Sequence, residues 1–483
     1  MIRGSAVGYV LGQFLLVLAA TMLVPIAWGL ARGSAGVGPL AVACAMTGGT
    51  GLALVIGATR PRTDLTQREG LLLVVVTWVA VATFGALPFY FSPWFPSFTD
   101  AFFEAASGFT TTGATVLARV EVLPEPLQFW RCFSHWLGGM GIVLLGVAVL
   151  PLVGHGGMQL YRAEFSGARS ERLKPRLTET ALALWRIYAL LTVTLYGLLR
   201  LAGLSAFEAL CHTFSTLGTG GFSTRTASIA GFDDPLVEAI LIVFMLLAGI
   251  SFLQHYRLLI ERRPGRFFTD VEIRGYLLLV AGATLVVALV LVTQGGYAPG
   301  QALRAGLFQV ASIVTTTGFV TENFEVWPPL PQLVLLALMF VGGCTGSTAG
   351  GLKVSRMILL ARVVDREFKR MVERRGVFAV RLGGQVVGES TIESLLNLVY
   401  LAFVVNFVSC LLLAAVGVDI LTAITAVAAS MFNVGPGFGQ VGAVEHYGHL
   451  PALAKWVLAA DMIAGRLEFY TVIAILTRAF WRR

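Results

Sequence analysis

Apolar runs of about a helix-span's length, separated by short polar or glycine-bearing breaks, set the rhythm of this 483-residue chain. A helix needs about 20 apolar residues to cross a bilayer. Runs near 7–31, 37–58, 70–92, 128–153, 180–203, 236–260, 273–294, 331–349, 393–417 and 452–477 meet or approach that length. Four shorter apolar segments, near 100–109, 205–216, 301–314 and 419–432, are too brief to span and are predicted to be re-entrant half-helices. Each half-helix runs directly into a glycine-bearing segment and then into another span. The pattern predicts an all-α polytopic membrane protein built from four repeated helix–pore-helix–helix units around a central pore, plus two N-terminal transmembrane helices. The predicted boundaries are 1–69 for the two N-terminal helices, then 70–178, 179–269, 270–388 and 389–483 for the four repeats.

The glycine-bearing segments are Thr110-Thr111-Thr112-Gly113, Leu217-Gly218-Thr219-Gly220-Gly221, Thr315-Thr316-Thr317-Gly318 and Asn433-Val434-Gly435-Pro436-Gly437. Non-helical backbone at membrane depth costs several kcal/mol per unsatisfied polar group unless it is buried in protein or lines water. Carbonyls presented by such a backbone can replace the hydration shell of a cation, and glycine allows torsions and close approaches denied to other residues. Packing of helices through small residues explains one such segment, but not four at matching places in a repeat. The predicted reading is a cation filter formed by backbone carbonyls of Thr111, Thr112, Gly113, Gly218, Thr219, Gly220, Gly221, Thr316, Thr317, Gly318, Asn433, Val434 and Gly435. The threonine hydroxyls would help to hold the loops. The second segment leaves open whether Gly220 or Gly221 lines the ring. The half-helices also look alike at Phe103-Glu104-Ala105 and Phe207-Glu208-Ala209, which predicts that Glu104 and Glu208 are equivalent.

With 56% hydrophobic and 13% charged residues, the chain is not a soluble globular protein. The formal charge of +8 does not indicate nucleic acid, because the basic residues are dispersed in clusters after alternate spans. Those clusters are Arg60, Arg62 and Arg68; Arg162 to Arg176; Arg257 to Arg266; Lys353 to Arg381; and Arg478 to Arg483. The positive-inside rule then puts both termini in the cytoplasm and opens the glycine segments outward. Outer acids (Glu121, Glu125, Asp233, Asp234, Glu322 and Glu325) could concentrate cations at the mouth or sit in ordinary solvated loops. The five cysteines lie apart in apolar sequence and suggest neither disulfides nor a zinc site. The six histidines show no metal-ligand spacing. The N-terminal apolar stretch reads as a retained helix rather than a signal peptide.

Two further features bear on control of the pore. The string from Gly342 to Gly351 interrupts a span with Gly342, Gly343, Gly346, Gly350 and Gly351, and each glycine weakens a helix by about 1 kcal/mol relative to alanine. It predicts a broken helix with a flexible gating loop below the filter, followed by Lys353 at the inner pore mouth or the interface. Arg466 falls near the middle of the last predicted span, where an arginine costs roughly 2.5–3.5 kcal/mol. It is predicted to face the pore as an electrostatic barrier, or else to pair across helices, with Glu468 as one candidate. No HExxH, GxSxG or paired intramembrane carboxylate suggests an enzyme. Ion-coupled symport with H⁺ or Na⁺ is the alternative to a passive pore, and Asp461 with Glu468 is its one candidate acid pair.

These glycine segments, the string Gly342-Gly343-Cys344-Thr345-Gly346-Ser347-Thr348-Ala349-Gly350-Gly351-Leu352-Lys353, and Gly465-Arg466-Leu467-Glu468 closely resemble the Trk/Ktr/HKT cation-transporter superfamily over essentially the whole chain. The two added N-terminal helices resemble the longer members. The resemblance implies K⁺ uptake across the bacterial inner membrane, a homodimer in the lipid bilayer, and a cytosolic TrkA-like ring that binds NAD, ADP or ATP. It implies K⁺ as the transported ion and no tightly bound organic cofactor on this chain. It maps the ring glycines onto Gly113, Gly220, Gly318 and Gly435, the gating loop onto 342–351, and the pore arginine onto Arg466. Glycine in all four segments favours K⁺ and Rb⁺ over Na⁺ within that resemblance.

Overall fold

The computed structural model describes residues 2–60, 65–148 and 177–482. The predicted basic cluster Arg162 to Arg176 and Arg62 lie outside the described residues. Helices α1 (Gly4–Arg32) and α2 (Val37–Gly57) form an antiparallel pair. They cross so closely that a Cβ added to Gly12 would lie 2.7 Å from the Gly51 carbonyl oxygen, the small-residue contact by which membrane helices pack. This pair is tied to the first repeat by Arg3, whose guanidinium pairs with Glu69 at 2.8 Å, and by Trp28 Nε1, which donates to Glu125 at 2.8 Å.

The first repeat comprises α3 (Gln67–Tyr90), the short α4 (Phe98–Phe109) and α5 (Glu125–Ala148). In the second are α6 (Leu177–Leu201), the short α7 (Ala206–Leu217), α8 (Pro235–Ala248) and α9 (Phe252–Leu259), with α10 (Pro264–Thr269) leading onward. The third has α11 (Val271–Thr293), the short α12 (Pro299–Val314), α13 (Pro329–Val341) and α14 (Val354–Val372). The fourth has α15 (Glu389–Ala415), the short α16 (Ile420–Met431), α17 (Ala452–Arg466), α18 (Tyr470–Leu476) and α19 (Arg478–Trp481). Among the described residues six helices are long and apolar enough to cross a membrane, and the bent pair α8 and α9 makes a seventh.

The half-helices begin where the sequence provides caps. Ser97 accepts from Asp100 N, Ser205 and Glu208 form a capping box, and Asp419 accepts from Thr422 N. Pro299 opens α12 at a position where its missing N–H is not needed. All four are buried over their C-terminal halves, next to the glycine segments.

Three expectations change here. The run 236–260 is not one continuous helix: α8 and α9 meet at 101° across Gly249–Ser251. The last run, 452–477, also breaks, at Glu468 and Phe469, which take φ of 56° and 54°. The basic stretch from Lys353 to Arg381 is largely helix rather than loop. Its Val354, Leu359 and Val363 are buried on one face of α14, and a hairpin of β1 (Arg381–Leu382) and β2 (Gln385–Val386) follows. Gly383 and Gly384 turn that hairpin at φ of 57° and 82°, torsions that two-residue hairpins favour.

Candidate ion pathway

Each half-helix ends directly at a glycine segment, and the four segments share one backbone. Thr111, Thr219, Thr316 and Asn433 all take left-handed torsions (φ 57°, 54°, 55° and 55°). Two residues later Gly113, Gly221, Gly318 and Gly435 take φ of 84°, 79°, 77° and 100°. This register makes Gly221, not Gly220, the counterpart of Gly113, Gly318 and Gly435. It also realigns the half-helices: counted from the filter, Glu104 corresponds to His212 and Glu208 to Asp100, so the predicted Glu104–Glu208 equivalence does not hold.

The glycines sit where they do because the segments touch in a closed ring. A Cβ on Gly113 would collide with the Gly220 carbonyl oxygen, one on Gly221 with that of Thr317, and one on Gly318 with that of Val434. A Cβ on Gly435 would stand 2.6 Å from the Thr112 carbonyl oxygen, which closes the circuit in chain order. The segment amides turn back onto the half-helices: Thr112 N donates to Ser107 O at 2.9 Å, Gly220 N to Ser215 O, Thr317 N to Ser312 O and Val434 N to Ala429 O, each at 2.8 Å. Among the described residues, no hydrogen bond is accepted by the carbonyls of Thr112, Gly220, Thr317 or Val434. The half-helices also point their C-termini, the negative ends of their dipoles, at this ring. Unpaired carbonyls and negative helix ends at one point concentrate negative potential there.

Side chains hold the ring from behind. Thr110 and Thr112 hydroxyls lie 2.8 Å apart, as do those of Thr315 and Thr317. Asn433 Nδ2 donates to Thr112 Oγ1 at 2.9 Å and to the Met462 carbonyl at 3.1 Å, joining the fourth segment to the first. One side chain on each half-helix also ties the strand that leaves its segment. Glu104 accepts from Val116 N at 2.9 Å, His212 Nε2 meets Ser223 Oγ at 2.9 Å, Gln309 donates to Thr321 Oγ1 at 3.3 Å, and Thr425 Oγ1 bonds Phe438 at 3.0 Å. Glu104 further pairs with Arg131 at 2.5 Å, both side chains buried.

Two of the outer acids tie loops of neighbouring repeats. Glu121 accepts from Thr226 N at 2.7 Å, and Glu325 accepts from Gly439 N at 2.6 Å. Tyr447 N donates to Thr115 O at 2.8 Å, and its hydroxyl to Gly435 O at 2.7 Å. Burial raises the Glu325 carboxyl above its ordinary range, and the nearby Glu445 charge adds to this against the Gly439 N–H.

Beneath the ring, the predicted glycine-rich loop does break its span. Gly342 (φ 79°, ψ −172°) ends α13 in a conformation reserved for glycine, and Lys353 (φ 78°) precedes α14. The loop between them crosses under the filter. Gly350 N donates to Thr316 Oγ1 at 2.7 Å, Gly351 N to Phe432 O at 3.2 Å, and Thr348 Oγ1 to Leu217 O at 2.9 Å. Cys344 N donates to Gly249 O at 2.8 Å and Phe252 N to Gly346 O at 3.0 Å, so the loop fits into the break between α8 and α9. Glu272 anchors it from α11, accepting from Thr345 N at 2.7 Å and Ser355 N at 3.1 Å. Lys353 Nζ folds back onto the Ala349 carbonyl.

Arg466 lies buried at the end of α17 rather than mid-span. Nη1 donates to the Thr348 carbonyl of the loop at 2.9 Å and Nη2 to the Gly138 carbonyl of α5 at 3.3 Å, while Nε has no partner among the described residues. Glu468 is not its partner, since Arg356 takes Glu468 at 2.7 Å. Asp461 accepts from Ser409 at 3.0 Å, so Asp461 and Glu468 each have a different partner. Sequence reasoning missed Arg131, His135 and Glu272. Arg131 and His135 lie inside α5 and Glu272 in the first turn of α11, and their partners lie far away in the chain.

The chain is similar to known transport proteins in sequence and fold. The TrkH family, described as a cation transport protein, matches residues 45–481. The chain is 41% identical over 482 residues to the Trk system potassium uptake protein TrkH of Halomonas elongata, covering 98% of each. It is 41% identical over 441 residues to the Escherichia coli K12 protein of the same name, covering 89% of this chain and 91% of that one. The crystal structure of the potassium transporter TrkH from Vibrio parahaemolyticus superimposes with a TM-score of 0.90 at 36% identity, covering 100% of both chains.

Proposed function

The chain belongs to the TrkH cation-transport family, and from that premise we propose that it takes up K⁺ across the bacterial inner membrane through a gated, channel-like pore. The observation that carries this reading is the closed ring in which each segment's glycine abuts the unpaired carbonyl of the next. K⁺ would shed water at Thr111, Thr112, Gly113, Thr219, Gly220, Gly221, Thr316, Thr317, Gly318, Val434 and Gly435. Gly218 would contribute less, because its carbonyl already accepts from Thr219 Oγ1 at 2.6 Å. Asn433 acts chiefly as the bridge to the first segment.

The loop 342–351 is the gate in this reading, and Arg466 is both its tether and a positive barrier on the ion's route. The protein works as a homodimer with both termini in the cytoplasm, and a TrkA-like nucleotide-binding ring controls opening. Basic clusters at Arg257–Arg266 and Arg478–Arg482 support that orientation. On α14, exposed Phe368, Met371 and Val372 among Lys369 and Arg370 support a protein partner on the cytoplasmic side.

The test is ⁸⁶Rb⁺ uptake into proteoliposomes of the purified protein, with KCl inside and NaCl outside, with and without a TrkA-like ring and ATP. Uptake competed by external K⁺ and not by Na⁺, without a linked change in internal pH, supports the pore. Uptake that requires a proton or Na⁺ gradient, or none in the presence of the ring, refutes it.

A further inference from the structure

The second glycine segment departs from the others in having no side chain at either position where the first and third carry paired threonines. Gly218 and Gly220 stand where Thr110 and Thr112, and Thr315 and Thr317, stand elsewhere. The same residue of α5 occupies both spaces. A Cβ on Gly218 would collide with the His135 carbonyl oxygen, and a Cβ on Gly220 with the His135 ring, 2.6 Å from Cε1.

His135 is fully buried and fixed from several sides. Its ring stacks on Phe222, the residue after Gly221, at 4.1 Å and 19°. Nδ1 lies 3.4 Å from the Phe222 N–H and 3.3 Å from Ser215 Oγ, long contacts that converge on the same nitrogen. One turn earlier on α5, the Arg131 guanidinium lies 3.5 Å over the same Phe222 ring and donates to Ser223 O at 3.1 Å. Glu104, which holds the strand leaving the first segment, grips Arg131 at 2.5 Å.

We propose that His135 is a selectivity-positioning residue: its imidazole takes the place of the threonine side chain missing at Gly220, beside its own backbone carbonyl at Gly218, and fixes where the Gly220 and Gly221 carbonyls stand in the ring. It acts through those carbonyls and does not itself meet the ion. Arg131 and Phe222 hold it in register, so the position of the second segment is set jointly with that of the first. This inference rests on the filter reading above.

Thermal unfolding of the full-length protein in detergent, in KCl or NaCl at constant ionic strength, tests it without requiring the gate to open. Wild type is stabilised at lower K⁺ than Na⁺ concentration. His135→Ala brings the two concentrations together by about two- to tenfold, the equilibrium factor supplied by one buried hydrogen bond. Gly220→Thr loses K⁺-specific stabilisation when His135 is present, and the double variant H135A/G220T regains it. His135→Phe keeps the stack without the acceptor and replaces the alanine variant where that one does not fold; it too must reject Gly220→Thr. Wild-type discrimination in His135→Ala, or equal tolerance of Gly220→Thr with and without the ring at position 135, overturns the proposal. Absence of K⁺ preference in the wild type refutes the filter reading itself.

Discussion

Replacing Arg466 by alanine removes the only side-chain tether between α17 and the loop under the filter that the described residues display. The guanidinium makes one bond of ordinary length, 2.9 Å to Thr348 O, and a longer one, 3.3 Å to Gly138 O. A hydrogen bond to a charged group contributes about 1.5–3 kcal/mol. Only the bond to Thr348 O reaches the loop, so the closed loop loses roughly 1.5–3 kcal/mol. That multiplies the open-to-closed ratio roughly ten- to 150-fold. Loss of the buried positive charge acts in the same direction on a cation's passage. The assay is the initial rate of ⁸⁶Rb⁺ uptake into proteoliposomes without any partner ring. Arg466→Lys separates the two effects, because an ammonium keeps the charge but cannot fork to two carbonyls. An intermediate rate for lysine is expected. If Arg466→Ala is folded, still stabilised by K⁺, and no faster than wild type, the tether reading is refuted.

Gly318→Ala forces a side chain into the Val434 carbonyl at φ 77°; K⁺-competed uptake should vanish while the protein still purifies as a folded species, and a normally conducting variant would refute the ring. Arg131→Ala leaves Glu104 buried without its ion partner, a loss of about 3–5 kcal/mol, so the melting temperature should fall clearly, and an unchanged value would show that the pair adds nothing. For Glu325, the folded carboxyl has a raised pKa, so its contribution to stability is fully present below the unfolded value and is lost as pH rises through the folded one. Glu325→Gln, which still offers an acceptor to Gly439 N, should therefore raise the melting temperature at pH 7–8 and lose that advantage near pH 4, as read from melting curves across pH.

The spans and half-helices were legible in the sequence because their signals are local. Apolar length marks a span, and a short apolar run ending in Thr-Gly marks a half-helix followed by non-helical backbone. Five glycines between Gly342 and Gly351 mark a helix that cannot continue. None of these depends on what lies opposite in space.

The tertiary structure decided the features whose causes lie in another repeat. Gly220 and Gly221 are adjacent and identical, and the left-handed torsion of Gly221 with its close approach to the Thr317 carbonyl makes it the counterpart of Gly113, Gly318 and Gly435. No glycine occupies position 468 or 469, so nothing in the chain announces that α17 ends there. The bend at Gly249–Ser251 exists because the third repeat's loop bonds Gly249 O and Phe252 N in place of continuing helix. His135 looked like an unassigned polar residue on an apolar helix until Gly218 and Gly220 were found against it, over eighty residues away. A sequence specifies its own backbone preferences directly, whereas a ring assembled from four segments is defined by contacts between residues that only its closure brings together.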